Sequence, residues 1–444
     1  MHQRKDNGLI RRDFVKVGLL GGSGILLGTA SLAENGRSTG TLQQQLNVPI
    51  VDRFDVVVAG AGPAGIAAAL AATRQGAKTL LIEKNGCLGG VWTAGLLCWI
   101  LDCKNKSGIL DEIRTRLKDA GAGFADRGGN GAYAYDPEAM KFLLEEMCRE
   151  ANVTVRLGTW VVGGAVEAKR VTHVVTESKS GREAWRGKMF IDCTGDGDLA
   201  ARVGCGFDLG EAETQAMQPM SLLALVGGVP VERIKPFVRL AASPNAKQML
   251  RKEIERSGVD LTYKHPGLYP IYHDLYMMMA NHQYEVSGLD ANHLTRATMQ
   301  GRREVNEIVR GLRSLGEPWS DLRLVATAEQ IGVREGRRVH GQYTVTTEDL
   351  IQGRRHEDAV CRVTFGVDVH STSLNHDAQG EGYSRGVKSK AYDIPMRALI
   401  AKDVAGLMMA GRCISGDFIS HSSYRVTGNS VPMGEAAGIA AAAG

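Results

Sequence analysis

Residues Phe54 to Lys84 read FDVVVAGAGPAGIAAALAATRQGAKTLLIEK, and no other stretch constrains the fold as strongly. An apolar run, Val56-Val57-Val58, enters Gly60-Ala61-Gly62-Pro63-Ala64-Gly65. A small-residue helix follows, and a second apolar run from Thr79 to Ile82 ends on Glu83. Each part has a mechanical task. Gly60 permits the tight turn off a strand, Gly62 lets the backbone approach a pyrophosphate, and Gly65 lets helix and strand pack closely. The N-terminus of the helix presents unpaired N–H groups and a partial positive charge to phosphates. Glu83, 18 residues beyond Gly65, can accept hydrogen bonds from a ribose diol. Strand, glycine turn, helix and strand together predict an α/β protein with a Rossmann-like dinucleotide-binding unit.

The turn alone does not separate FAD from NAD. Glu83-Lys84 is followed by Gly89-Gly90 in NGCLGGVWTAG, which resembles the extended FAD fingerprint of the glutathione-reductase-like flavoproteins. In that superfamily the glycine pair brings the chain back over the cofactor. The resemblance implies FAD, held by Gly60, Gly62, Ala64, Gly65, Glu83, Lys84, Gly89 and Gly90. A later strand, Phe190-Ile191-Asp192, runs into Cys193-Thr194-Gly195-Asp196. This is similar to the second cofactor-contacting segment of FAD-binding domains, and it adds Thr194, Gly195, Asp196 and, on an earlier strand, Val161 to the implied set.

Residues 53–444 resemble the broad family of FAD-dependent oxidoreductases, on the phrases IDCTGDGDLA, REGRRVHGQYT, YDIPMRALI and GRCISG. A second resemblance concerns mechanism. His421 to Val431, HSSYRVTGNSV, is similar to the HGANRLGGNSL segment of succinate dehydrogenase and fumarate reductase flavoproteins. In those enzymes the matching arginine, here Arg425, holds a substrate carboxylate over the flavin, and the following helix start faces the flavin pyrimidine. Gly428, Asn429, Ser430 and Val431 are implied at that helix start, with His421 beside the substrate. Arginine suits the task because its planar fork matches a carboxylate bidentately. Asp368-Val369-His370-Ser371-Thr372 resembles the His-x-Thr substrate segment of the same enzymes, so His370 is expected to hydrogen-bond substrate or to transfer a proton. A histidine at a strand end also serves structure alone, and a buried arginine also serves a phosphate or an internal ion pair. Both readings stand on sequence.

The pattern departs from those enzymes in places. Where they carry an acid after Ala-Gly to contact the ribitol, this chain has Gly411-Arg412, with Asp417 as the available substitute. No histidine follows Gly89-Gly90 at the position of covalent FAD attachment, so noncovalent FAD is expected. Their acid-delivering arginine has only Arg334 and Arg338 as counterparts.

Arg11-Arg12-Asp13-Phe14-Val15-Lys16 resembles the twin-arginine export signal. Val17 to Ala33 then gives 17 uncharged residues with five glycines, short for a spanning helix, and Ser31-Leu32-Ala33 offers small residues for cleavage. The resemblance implies the twin-arginine translocase as a partner and a periplasmic location. Of the formal net charge of +4, residues 1–33 contribute +3, five Lys/Arg against two Asp/Glu, so nothing points to nucleic acid. The eight cysteines include no C-x-x-C pair, which removes support for zinc ribbons, iron–sulfur runs and haem attachment, and no metal is expected. Cys98 and Cys103 have the spacing of a redox pair, but the apolar setting of Leu96, Leu97, Trp99 and Ile100 favours core packing.

The expected layout is a signal over 1–33, a polar linker over 34–52, and FAD-binding segments over 53–205 and 366–444. An α+β substrate or capping domain is inserted over 206–365. Asp136-Pro137 should cap and open a helix running to about Ala151. Thr298 to Leu315 reads as a helix with a solvated charged face, and Pro432 as the start of a small-residue helix still running at Gly444. The expected function is flavin-dependent exchange of hydride with a small organic substrate, with a further electron donor or acceptor. An electron-relay flavoprotein and a non-redox isomerase or hydratase are the alternatives.

Overall fold

A computed structural model describes residues 47–125, 131–374 and 383–444; the twin-arginine segment lies outside these residues. The elements that frame the site begin with β1 (Ile50–Ala59), α1 (Pro63–Arg74) and β2 (Thr79–Ile82). Then come α2 (Pro137–Glu150), β3 (Thr154–Arg156), β4 (Trp160–Glu167), β5 (Arg170–Ser178) and β6 (Gly181–Asp192). Strands β7 (Ala224–Gly227), β8 (Gly267–Pro270) and β9 (Leu275–Met279) precede helix α3 (Ala291–Ser314) and β10 (Arg323–Thr327). The chain closes with β11 (Leu407–Met409), α4 (Phe418–Tyr424) and α5 (Thr427–Ala443).

One seven-stranded sheet carries the cofactor domain in the order β3-β2-β1-β6-β5-β4, with β11 alongside β6. The β1–β2, β2–β3, β1–β6 and β6–β11 pairs are parallel, whereas β4, β5 and the first half of β6 form an antiparallel meander. Buried on both faces, the Val56–Ala59 end of β1 and all of β2 read as continuous apolar runs, as parallel strands do. The strand contributed by residues 407–409 makes the domain discontinuous, as the α/β reading expected. β1 begins at Ile50, so the last residues assigned to the linker already pair with β6.

Helices α1 and α5 pack backbone to backbone. A Cβ on Gly434 would lie 2.0 Å from the Ala64 carbonyl oxygen, and one on Gly438 2.2 Å from that of Ala68. Only glycine permits this approach, and it sets both helix N-termini on the same side of the sheet. α5 starts at Thr427, five residues before the sequence placed it, and Pro432 lies inside it. Proline there removes one N–H from the first turns, where loss of a single ladder bond is tolerated better than mid-helix.

The inserted domain is a four-stranded antiparallel sheet, β8-β9-β7-β10. Its strands alternate. Ala224, Val226, Leu268, Tyr276 and Met278 pack with Val305, Ile308 and Leu312 of α3 into a separate apolar core, whereas Leu223, Leu225, Tyr269 and Met277 join the main core. Alternate residues of a strand face opposite sides, so one sheet builds its own domain and roofs its neighbour. α3 begins at Ala291, capped by Asp290, earlier than the periodicity suggested. Its polar face is not wholly solvated: Glu304 is buried and accepts from Thr262 N and Oγ1. α2 follows its sequence signals, with Asp136 accepting from Glu138 N. The chain is back beside the main sheet by Val339, whose N–H donates to Cys413 O.

Candidate functional site

A long cleft runs between the C-terminal ends of the parallel strands and the inserted sheet. Its floor is the glycine turn. Gly60 has φ +92°, and a Cβ there would lie 2.6 Å from Cys193 O; a Cβ on Gly65 would lie 1.8 Å from Gly60 O. These two are glycine for packing. Gly62 is different, because a Cβ on it meets nothing within 4 Å and projects into space the cleft leaves open. Gly62 is the N-cap of α1, which has no side-chain cap and carries Pro63 in its first turn. The open end of α1 is therefore free to receive an anion.

Glu83 closes the turn from the side. Its Oε2 accepts from Ala61 N at 2.7 Å and its Oε1 from Asn85 N at 2.9 Å. A carboxylate has about four acceptor positions, so both oxygens keep capacity for a hydroxyl donor. Burial raises the Glu83 pKa and the two backbone donors oppose that. Lys84 and Val161 also line this end, with the Lys84 ammonium 5.2 Å from the Trp160 ring centre. Across the turn, Asp192 orders the β6 exit: Oδ1 accepts from Thr194 N and Oγ1, and Oδ2 from Ala200 N.

At the far end the start of α5 brings Thr427 and Ser430 to the cleft, again without a side-chain cap. Next to it stand Arg425, His370, Asp368 and Arg334. Arg425 Nη2 donates to Asp368 O at 2.8 Å and to Gln218 Oε1 at 3.3 Å, while its Nε is buried with no partner among the described residues. His370 Nε2 lies 3.4 Å from Asp368 Oδ2, and its backbone N–H donates to Gln218 Oε1. Arg334 is fixed by Pro219 O and Ser221 Oγ.

Burial, then the Arg334 charge, brings His370 down to about 3, against the smaller pull of Asp368. The imidazole is neutral near pH 7, so it acts there by hydrogen bonding. Burial works to raise Asp368, but His370, Arg425 and Arg334 outweigh it and hold the carboxyl well below the usual range. Burial lowers Arg425 to about 10, which leaves it charged.

Of the residues expected around a dinucleotide, Gly60, Gly62, Ala64, Glu83, Lys84, Gly90, Val161, Thr194, Gly195, Gly411, Arg412 and Ser430 line the cleft. Gly65 and Gly89 lie behind it and shape the turn. Arg412 also has a structural task. Its guanidinium donates to Gly195 O, Val333 O and Asp196 Oδ1, pinning the β6 exit to the inserted domain and occupying the Asp196 carboxylate. Asp417 does not replace the missing acid; it caps α4 through Ser420 N and accepts from Thr347 N and Oγ1. Gly428 is pressed against Leu101 O, Asn429 Oδ1 accepts from Cys361 Sγ, and Val431 is buried, so all three sit behind Ser430. His421 is fully buried outside the cleft lining, and burial followed by Arg425 pushes its pKa well down. Arg338 is paired with Glu335 at 2.6 Å, away from the cleft. Cys98 and Cys103 are free and buried.

The sequence reading gave no role to Asp368, Gln218, Ser221, Leu223, Trp99, Met277 or Gln330. Tyr269 and Met277 lie in the tyrosine- and methionine-rich run YPIYHDLYMMM, but only pairing across strands shows which of its residues face the cleft.

An open helix N-terminus at each end, a glycine whose missing side chain leaves room, and a carboxylate at the end of β2 fit a dinucleotide, and they define a dinucleotide-binding α/β protein. The family model described as FAD dependent oxidoreductase matches residues 55–444. The chain belongs to that family, and its cofactor is FAD. Human mitochondrial dihydrolipoyl dehydrogenase (Homo sapiens) is 29% identical over 120 residues, 27% of this chain and 21% of that protein. The dihydrolipoyl dehydrogenase of Trypanosoma brucei brucei is 52% identical over 42 residues, 10% of this chain and 9% of that one. The match thus spans about a fifth of the mitochondrial relatives' length. Among solved structures, a flavin-dependent brominase is 13% identical with a TM-score of 0.43, over 88% of this chain and 78% of that one. A geranylgeranyl bacteriochlorophyll reductase-like protein from Thermoplasma acidophilum is 14% identical with a TM-score of 0.42, over 88% and 77%.

Proposed function

We propose that this flavoenzyme is exported and exchanges hydride with a small organic substrate held by Arg425 and His370. The observation that carries the reading is the meeting of Arg425, Arg334, Asp368 and His370 at the end of the cleft away from the glycine turn. Bound FAD supplies acceptance or donation of two electrons as hydride. The protein supplies the rest. Arg425, oriented by Asp368 O and Gln218 Oε1, presents a fixed charge to a substrate carboxylate or carbonyl oxygen, and that charge counts most where negative charge develops. His370, neutral, donates from Nε2 to Asp368, which holds the ring and leaves Nδ1 as an acceptor. The apolar sheet above excludes water and strengthens both interactions.

Export rests on the Arg11-Arg12-Asp13-Phe14 pattern and on the fit of that route to a protein that carries a cofactor. The electron partner is a separate molecule in this reading.

Anaerobic mixing of the FAD-loaded protein with organic reductants, and of the reduced protein with their oxidised forms, tests the chemistry through flavin absorbance. Stoichiometric bleaching or recolouring by a substrate, lost in Arg425→Ala, is expected. Turnover of a substrate with no net change in flavin colour would instead mark an isomerase or hydratase. Response to electron carriers alone would mark a relay.

A further inference from the structure

We infer that the substrate is a monoanion carrying a flat apolar body rather than a compact dianion. The inference deepens the proposed function and rests on its reading of the Arg425 end of the cleft as the substrate end.

Charge is the first argument. Among the charged side chains lining this end, Arg412 is committed to Asp196 at 2.5 Å and Asp198 to Arg337 at 3.0 Å. Arg334, Arg425 and Asp368 remain, beside a neutral His370. That leaves one positive charge in excess, which a single carboxylate or enolate neutralises. A second negative charge on the same small molecule would have no cation to meet.

The roof is the second argument. Tyr269 and Met277 are directly opposed on β8 and β9, and Met279 follows two residues along the same face. The Trp99 ring stands edge-on to Tyr269, with centroids 5.0 Å apart at 61°. Leu223 continues the face immediately before β7. No side chain in this group carries a charge. Rings and thioethers of this kind pack on planar apolar groups. Each strand spends its other face on the domain's own core; on this face Leu223, Trp99, Tyr269 and Met277 close the main core and also line the cleft, with Met279 beside them.

Ligand titration of the full-length FAD-loaded protein, read by flavin difference absorbance and by calorimetry, tests the inference without turnover. The probes are trans-cinnamate, its uncharged amide and succinate. Cinnamate is expected to bind at least about tenfold more tightly than succinate, as burial of one ring would give. It should also exceed the amide by about tenfold, for the charge-assisted contact. Met279→Lys places a cation on a half-buried roof position and should narrow the cinnamate-to-succinate ratio by about tenfold at unchanged FAD content. Succinate binding as tightly as cinnamate, absence of cinnamate binding, or a ratio unmoved in FAD-replete Met279→Lys overturns the inference. The wild-type ratio decides even if the variant fails to fold. Arg425→Ala separates the two readings: unchanged cinnamate affinity in that variant removes the Arg425 clamp, whereas the ratio in the parent protein judges the substrate class.

Discussion

Gly62 and Gly65 lie three residues apart in one turn, yet the structure assigns them opposite costs. Gly62→Val adds a side chain whose Cβ has no protein atom within 4 Å, at φ −68°, which any residue adopts. The folded apoprotein should therefore change by no more than about 0.5 kcal/mol, the range of an unconstrained surface site. The same side chain occupies the space in front of the open α1 N-terminus. Losing two charge-assisted contacts there, at about 1.5–3 kcal/mol each, weakens FAD by roughly 10²–10⁴-fold. Gly65→Ala does the reverse. Its Cβ would meet Gly60 O at 1.8 Å and Cys193 Cβ at 3.2 Å, so α1 must move away from the strand. Overpacking of that kind costs about 1–3 kcal/mol or more, and apoprotein Tm should fall by several degrees. Deflavinated wild type and both variants would be melted and then titrated with FAD by fluorescence quenching. An apoprotein Gly62→Val that melts as low as Gly65→Ala, or that binds FAD normally, refutes the assignment of that open space to the pyrophosphate.

Arg425→Ala should keep FAD but slow flavin reduction by substrate about 10²–10³-fold, with little rescue by lysine, measured by anaerobic stopped flow. His370 takes up its proton only near pH 3 in the folded protein but near 6.5 once unfolded, so the unfolded state binds more protons between those values. Stability from this group is complete above about pH 6.5 and is lost as pH falls towards 3; His370→Asn should flatten that acid limb of Tm against pH. Asp368, held low in the fold, adds loss of the same sign at the acid end, so its variant must be run in parallel. Arg11→Lys with Arg12→Lys keeps the charge and should retain the protein in the cytoplasm, seen by fractionation; normal periplasmic yield removes the export proposal.

The cofactor domain was legible because its determinants are local. Gly60, Gly62, Gly65 and Glu83 act through turn geometry within one strand–helix–strand unit, and sequence order carries that geometry. Thr194 and Gly411 were readable for the same reason, as exits of apolar strands. Sequence order is silent where a residue's partner lies far along the chain. Arg412 lines the cleft, as its place after Ala410-Gly411 suggests, but the structural partners of its guanidinium are 79 residues away at Val333 and 217 away at Gly195. Asp417 looked free to replace an acid, but it is spent on Thr347, 70 residues off. His421 and Arg425 are four residues apart on one helix face, yet the histidine lies one turn deeper in the packed interior and the arginine, at the C-terminal end of α4, lines the cleft.

The inserted sheet shows why substrate is the hardest part to read. Leu268-Tyr269 and Met277-Met278 are apolar pairs, and composition gives both members the same meaning. Pairing Tyr269 with Met277 assigns one member of each to the cleft and the other to α3. A one-residue slip of that register would exchange the two sets, putting Leu268 and Met278 over the cleft and burying Tyr269 beneath α3. The polar end has the same dependence. Arg334 reaches the cleft because Ser221 and Pro219, 113 and 115 residues earlier, receive its guanidinium beside β7. Chemistry at the flavin therefore rests on a turn that sequence displays openly. In the proposed reading, choice of substrate rests on a strand register and on one long-range arginine, which are fixed by packing and become visible only once the chain is folded.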